Sequence, residues 1–99
     1  MSYQLVFDIK ASKEFSDSFD WYEDQQEGLG NRFEKAVYEK LNDIQQYPER
    51  YPQKRKPYRE TKVKKFPFLI VYKFYKLKNT ILIVSIFHTS RNPTHKYIG

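Results

Sequence analysis

The spacing of apolar residues changes character twice along this chain, and those two changes leave few folds open. Tyr3, Leu5, Phe7 and Ile9 alternate with Gln4, Val6 and Asp8, the period of a strand with one buried face. After Ala11 the spacing turns helical. Ser12 is a candidate N-cap, Phe15, Phe19 and Tyr22 follow at i, i+4 and i+7, and Asp17, Asp20, Glu23 and Asp24 fill the polar positions. Gly28 and Gly30 break this helix, and a second carries Leu29, Phe33, Ala36, Val37, Leu41, Ile44 and Tyr47 along one stripe up to Pro48, which cannot continue it. A break this short predicts an antiparallel helical hairpin.

Strand spacing then returns for the rest of the chain. Pro48, Pro52 and Pro57 punctuate a basic connection from Tyr47 to Tyr58, which reads as an irregular loop. Arg59, Thr61 and Val63 alternate with Glu60, Lys62 and Lys64. Phe68 to Lys76 forms a further strand, and Lys78 with Asn79 supplies a tight turn into Ile81 to His88. Short loops imply antiparallel pairing. The expected fold is α+β, in the order β-α-α-β-β-β, with the helical hairpin packed on one face of an antiparallel sheet. Parity puts Phe68, Ile70, Tyr72 and Phe74 with Leu82, Val84 and Ile86 against the helices. Lys73, Tyr75 and Ser85 then lie on a more polar second face, which Lys62 and Lys64 join if the register allows.

Composition narrows what such a domain does. The 99 residues make one domain, 1–99, and nine Tyr and eight Phe against three Gly indicate a packed core. There is no cysteine, which removes disulfides, thiolate catalysis and thiolate metal sites. The longest apolar runs, Phe66 to Tyr72 and Ile81 to Phe87, fall far short of the roughly 18 residues that span a bilayer. The N-terminus lacks the basic leader and apolar stretch of a signal peptide, so a cytoplasmic location and no membrane partner are expected. Charge is strongly segregated. Eleven of the twelve Asp and Glu residues lie at or before Glu49, whereas thirteen Lys and Arg follow it against the single acid Glu60. The basic half should therefore attract a phosphate backbone, an acidic protein segment or an anionic surface.

The order and spacing of several short motifs resemble the RelE/ParE superfamily of bacterial type II toxin-antitoxin toxins. They are Trp21-Tyr22, Gly28-Leu29-Gly30-Asn31-Arg32-Phe33, Tyr47-Pro48, Tyr58-Arg59, Phe66-Pro67-Phe68-Leu69-Ile70-Val71-Tyr72 and His88-Thr89-Ser90-Arg91-Asn92-Pro93. The closing pattern is more similar to the ParE-like, plasmid-stabilisation branch. The resemblance implies a growth inhibitor neutralised by a cognate, acidic antitoxin, with DNA gyrase as the target of a ParE-like member. A RelE-like member instead cuts mRNA on the ribosome, and a non-toxic binding module of the same fold is a third reading. It leaves a homodimer open.

Residue by residue, the nuclease reading would use His88, Arg91, Lys62, Lys64 and Tyr97, since attack by a 2′-hydroxyl needs proton transfer groups and cations around the phosphate. Partner binding would fall to Arg59, Lys62, Lys64, Lys73 and Arg91. Each has a structural counter-reading: His88 as a hydrogen-bonded rim histidine, Arg91 as an ion pair to the acidic helices, Arg59 as a half-buried arginine with a carboxylate partner. Tyr51, Tyr58 and Tyr75 are the aromatics left to stack nucleic-acid bases. Lys40, inside the second apolar stripe, should snorkel along the hairpin edge. Asp17, Asp20, Asp24 and Glu27 lack the glycine-containing loop of a calcium site, so neither metal nor cofactor is expected.

Overall fold

The computed structural model describes residues 3–97. The chain runs through strand β1 (Gln4–Phe7), helices α1 (Ile9–Gln25) and α2 (Leu29–Gln46), and strands β2 (Gln53–Arg55), β3 (Tyr58–Lys62), β4 (Phe68–Tyr75) and β5 (Thr80–His88). The expected order and helical hairpin are present, with one short strand added. The five strands form one sheet in the order β1-β5-β4-β3-β2; β1 runs parallel to β5, and every other pair is antiparallel. The parallel pair joins the first and last strands, which are separated by the helical hairpin and three strands, a connection long enough for parallel neighbours.

Helix α1 starts earlier than Ser12. Asp8 is the N-cap, with its carboxylate accepting from the Lys10 N–H at 2.9 Å, and an acid there also suits the positive end of the helix. Ile9 therefore leaves the strand and stands 87% exposed. The hairpin turn explains both glycines. Gly28 adopts φ +86°, which favours glycine, and the Glu23 carboxylate accepts from the N–H groups of Gly28 and Gly30, capping α2 from the preceding helix. A Cβ on Gly30 would lie 2.8 Å from Glu23 Oε1 and 2.9 Å from the Phe19 carbonyl.

The core lies between the hairpin and one face of the sheet. Phe33, Val37, Leu41 and Ile44 of α2 are buried against Phe68, Ile70 and Tyr72 of β4 and Ile81, Ile83 and Ile86 of β5, with Phe15, Phe19 and Tyr22 of α1 closing the side. Tyr47 does not join this stripe; it is exposed, with Arg50 stacked on its ring. Lys40 follows the hairpin edge to Asp43 and the Tyr51 ring.

The β4 face is as expected and the β5 face is not. Val71 pairs with Ser85 but Tyr72 pairs with Ile83, so Val84 is an extra residue and the ladder bulges. Before the bulge, Ile81 and Ile83 face the helices while Leu82 and Val84 face away, the reverse of the simple parity; after it, Ile86 and His88 return to the helical side. The connection after α2 is not wholly irregular, since β2 pairs with β3 at the sheet margin. Its three residues are all exposed, and Lys54 and Arg55 suit an edge position.

Candidate functional site

Two surfaces gather the charged residues, and the sheet separates them. The first is a cleft of about 640 Å³ between α1 and the end of β5, floored by Trp21, Tyr22, Phe68 and Ile86 and rimmed by Lys10, Lys13, His88 and Arg91. Glu14 organises it. Its position on the buried side of α1 aims the carboxylate at the bulge, where Oε1 accepts from Ser85 Oγ at 2.8 Å and from the Ile86 N–H at 3.1 Å, and Oε2 accepts from Arg91 Nη1 at 2.9 Å. Ser85, paired with Val71 of the second face, reaches α1 through its hydroxyl at the bulge. Arg91 has the acidic-helix partner that its structural reading required.

His88 stands at the inner end of the cleft, edge-on to Phe68 with ring centroids 4.9 Å apart. Its Nδ1 accepts from the Ser90 N–H at 3.1 Å and lies 2.7 Å from Ser90 Oγ. A backbone N–H can only donate, so the neutral ring carries its proton on Nε2. Lys10 donates to the His95 carbonyl, and burial, the largest influence on it, lowers its pKa despite the raising effect of Glu14.

The second surface is the face of the sheet away from the helices. It is less polar than parity suggested: Val71, Val84 and Phe87 form a small buried cluster there, with Tyr58, Leu69 and Leu82 around it. The C-terminal segment covers it, because an apolar patch flanked by Glu60 offers both area and a charged anchor. Tyr97 donates its hydroxyl to Glu60, Lys96 Nζ donates to the same carboxylate at 3.1 Å, and the Tyr97 ring packs 4.7 Å from that of Tyr58. Lys96, near Phe87, and Lys73, 5.0 Å above the Tyr58 ring, complete a layer of cations and aromatics.

Burial, then the hydrogen bond and charge of Glu60, raise the Tyr97 phenol from its ordinary 10 to about 12. A raised phenol stabilises the folded chain fully below the unfolded value and loses that contribution as pH climbs through the folded one. Tyr97→Phe should therefore be less stable than the parent at neutral pH by about 1 kcal/mol. It should also fall less steeply between about pH 10 and 12. Urea midpoints for both proteins across that range check this, and parallel pH profiles would contradict it.

The residues singled out from sequence do not converge. His88 and Arg91 border the α1 cleft, whereas Lys62, Lys73 and Tyr97 belong to the opposite face. Lys64 lies in the turn after β3, outside the sheet. Arg59 is on the helical side, but its partners are the Tyr51 carbonyl at 2.6 Å and the Glu49 carbonyl at 3.3 Å, with no carboxylate among the described residues. Together with Tyr72, whose hydroxyl donates to the Pro48 carbonyl at 2.7 Å, it fixes the connection after α2. Of the candidate base-stacking rings, Tyr51 packs on the core and Tyr58 lies under Tyr97, leaving Tyr75 at 40% exposure. Among the described residues, no group of three or more His, Asp or Glu side chains gathers as a metal site would.

Sequence reasoning missed Glu14, Glu60, Lys10, Lys13 and Trp21. Glu60 had a visible signal as the single acid of the basic half. Glu14 had a weaker one, three residues after Ala11 on the buried side of α1. Trp21 is 59% exposed beside the cleft, although large aromatics usually bury.

The fold, a helical hairpin across one face of a short five-stranded sheet, is shared with solved structures of toxin-antitoxin proteins. The chain shares it with a chain of the chromosomal ParDE toxin-antitoxin system from P. aeruginosa at a TM-score of 0.76 and 16% identity, covering 90% of this chain and 98% of the other. A doubly substituted E. coli RelE toxin in the free state matches with a TM-score of 0.73 and 20% identity over 98% and 94% of the two chains. The intact E. coli RelBE toxin-antitoxin complex matches at 0.70 and 19%, over 91% and 100%. No curated protein matches the sequence. The family model for the ParE toxin of the parDE type II toxin-antitoxin system matches residues 5–93. The chain belongs to that family and is a type II toxin, and among the described residues no helix is long and apolar enough to cross a membrane.

Proposed function

We propose that this toxin inhibits growth in the bacterial cytoplasm by binding a protein target, DNA gyrase, without cutting RNA, and that a cognate acidic antitoxin neutralises it. The observation that carries this reading is the separation of the nuclease candidates. Cleavage of a phosphodiester needs its proton acceptor, proton donor and cations within hydrogen-bonding reach of one phosphate. Here His88 and Arg91 border the α1 cleft while Lys62, Lys73 and Tyr97 belong to the other face, and the Tyr97 hydroxyl is already committed to Glu60. A carboxylate under the second face also opposes phosphate binding there.

Expression of the chain alone should arrest growth, with plasmid DNA losing negative supercoils and transcripts staying intact. Codon-linked cuts in mRNA with normal supercoiling would replace the gyrase reading by the ribosome-dependent nuclease. Unimpeded growth at a verified protein level would favour a non-toxic binding module. For the gyrase reading, Tyr97→Phe should retain the arrest to within about threefold, since no chemistry passes through the phenol.

A further inference from the structure

Six cations line the margin of the sheet formed by β2, β3 and the turns that follow them: Lys54, Arg55, Lys56, Lys62, Lys64 and Lys65. All six are exposed, and among the described residues none has a carboxylate partner. Charge on an open strand keeps sheets from pairing edge to edge, which accounts for Lys54, Arg55 and Lys62. Lys56, Lys64 and Lys65 lie in turns, where no edge needs protecting. Glu60, the single acid of this half, is 7% exposed and bound by Lys96 and Tyr97, so its repulsion of phosphate is confined to the covered second face.

We propose that this margin binds the phosphate backbone of duplex DNA without reading its sequence, and so draws the toxin to gyrase engaged on DNA. The recruitment rests on the reading of gyrase as the target; the DNA binding itself does not. Three observations choose the duplex. Exposed cations without partners are what a polyanion gains by, since each phosphate they neutralise releases counterions. A protein segment would need an apolar centre to its interface, yet among the described residues every large exposed apolar side chain lies outside residues 53–65. A single strand would need rings to stack on, and the aromatics here are taken: Tyr51 and Phe66 pack on the core, and Tyr58 lies under Tyr97. The dimensions suit as well. From Tyr58 to Lys62 the strand spans about 13 Å, a length over which a duplex presents about eight phosphate charges.

Fluorescence anisotropy with a labelled duplex of random sequence tests the margin. The dissociation constant should rise about 100- to 1,000-fold from about 50 to about 200 mM salt, the dependence that roughly four to six phosphate contacts produce. Lys54→Gln, Lys56→Gln, Lys62→Gln and Lys64→Gln combined should weaken binding at the lower salt by at least about thirtyfold. The same loss of charge elsewhere, through Arg32→Gln, Lys35→Gln, Lys76→Gln and Lys78→Gln, should cost less than about threefold, because the site is local. All eight positions are exposed, so both variants should melt within a few degrees of the parent. Equal losses in the two variants, a salt dependence below about tenfold, or tighter binding of a single strand than of the duplex would each overturn the proposal. Unchanged DNA affinity in the margin variant, with neutralisation by the antitoxin lost, would give the surface to the antitoxin instead. Purified gyrase separates the recruitment from the reading beneath it. The parent should block supercoiling, and the margin variant should need at least about tenfold more protein to do so. Equal inhibition by both sinks the recruitment alone, whereas a parent that leaves supercoiling untouched removes gyrase as the target, with the anisotropy result unaffected.

Discussion

Glu14→Ala should destabilise this protein by about 3–5 kcal/mol, the scale of a buried ion pair losing one member. Glu14 is 9% exposed, and its loss strands the Ser85 hydroxyl and the Ile86 N–H, both in fully buried residues. Each orphaned group costs about 1–3 kcal/mol. Arg91 adds less, because its side chain is 45% exposed and water can replace the carboxylate. Glu14→Gln should lose about half as much as alanine, as its carbonyl oxygen still accepts from Ser85 and Ile86. Urea denaturation measures both. The midpoint should drop at unchanged slope, and a loss below about 1 kcal/mol for alanine would mean that the bulge does not depend on this carboxylate.

Phe33→Ala should have a similar effect for a different reason. The ring is fully buried and meets Phe15, Tyr22, Phe66 and Phe68 at centroid distances of 5.6, 5.2, 5.4 and 4.9 Å. Truncating a buried Phe costs about 3–5 kcal/mol, transfer and cavity combined. Four aromatic neighbours, each pair contributing about 0.5–1.5 kcal/mol beyond area, place this site at the upper end. Phe33→Leu should recover more than half. Thermal unfolding followed by near-ultraviolet circular dichroism, which senses the aromatic cluster, tests the pair; a Phe33→Ala midpoint within a few degrees of the parent would refute it. Against a typical total of about 5–15 kcal/mol, either alanine variant approaches the limit of a folded chain.

These two residues also mark what could be read from sequence. Phe33 could, since it sits in a helical stripe with Val37, Leu41 and Ile44, and Phe68, Ile70, Tyr72 and Phe74 were as plain on β4. Glu14 could not, because its partners lie 71 and 72 residues away on β5. The β5 faces were misread because Val84 and Ser85 carry no local sign of a bulge, which is set by pairing with β4. Ile9 continued the β1 alternation by residue type alone, while the Asp8 cap decided where the strand ended. Strand β2 has no apolar residue to show a period. The second-face strap depends on Lys96 and Tyr97 reaching Glu60, 36 and 37 residues earlier, so only the isolation of that acid among bases hinted at it.

The bulge at Val84 acts as a phase shift within one strand. Its first half is in step with β1 and the hairpin core, and its second half is in step with α1 and the cleft. Straightening the ladder with Val84 kept in it would carry either Ile81 and Ile83 or Ile86 and His88 to the wrong face, because Ile83 and Ile86 are an odd number of residues apart. A strand of the same length without the bulge could not serve both halves, whereas loss of Val84 itself would leave both pairs facing the helices. The bulge, by taking up that odd spacing, lets core and cleft share one face of the sheet.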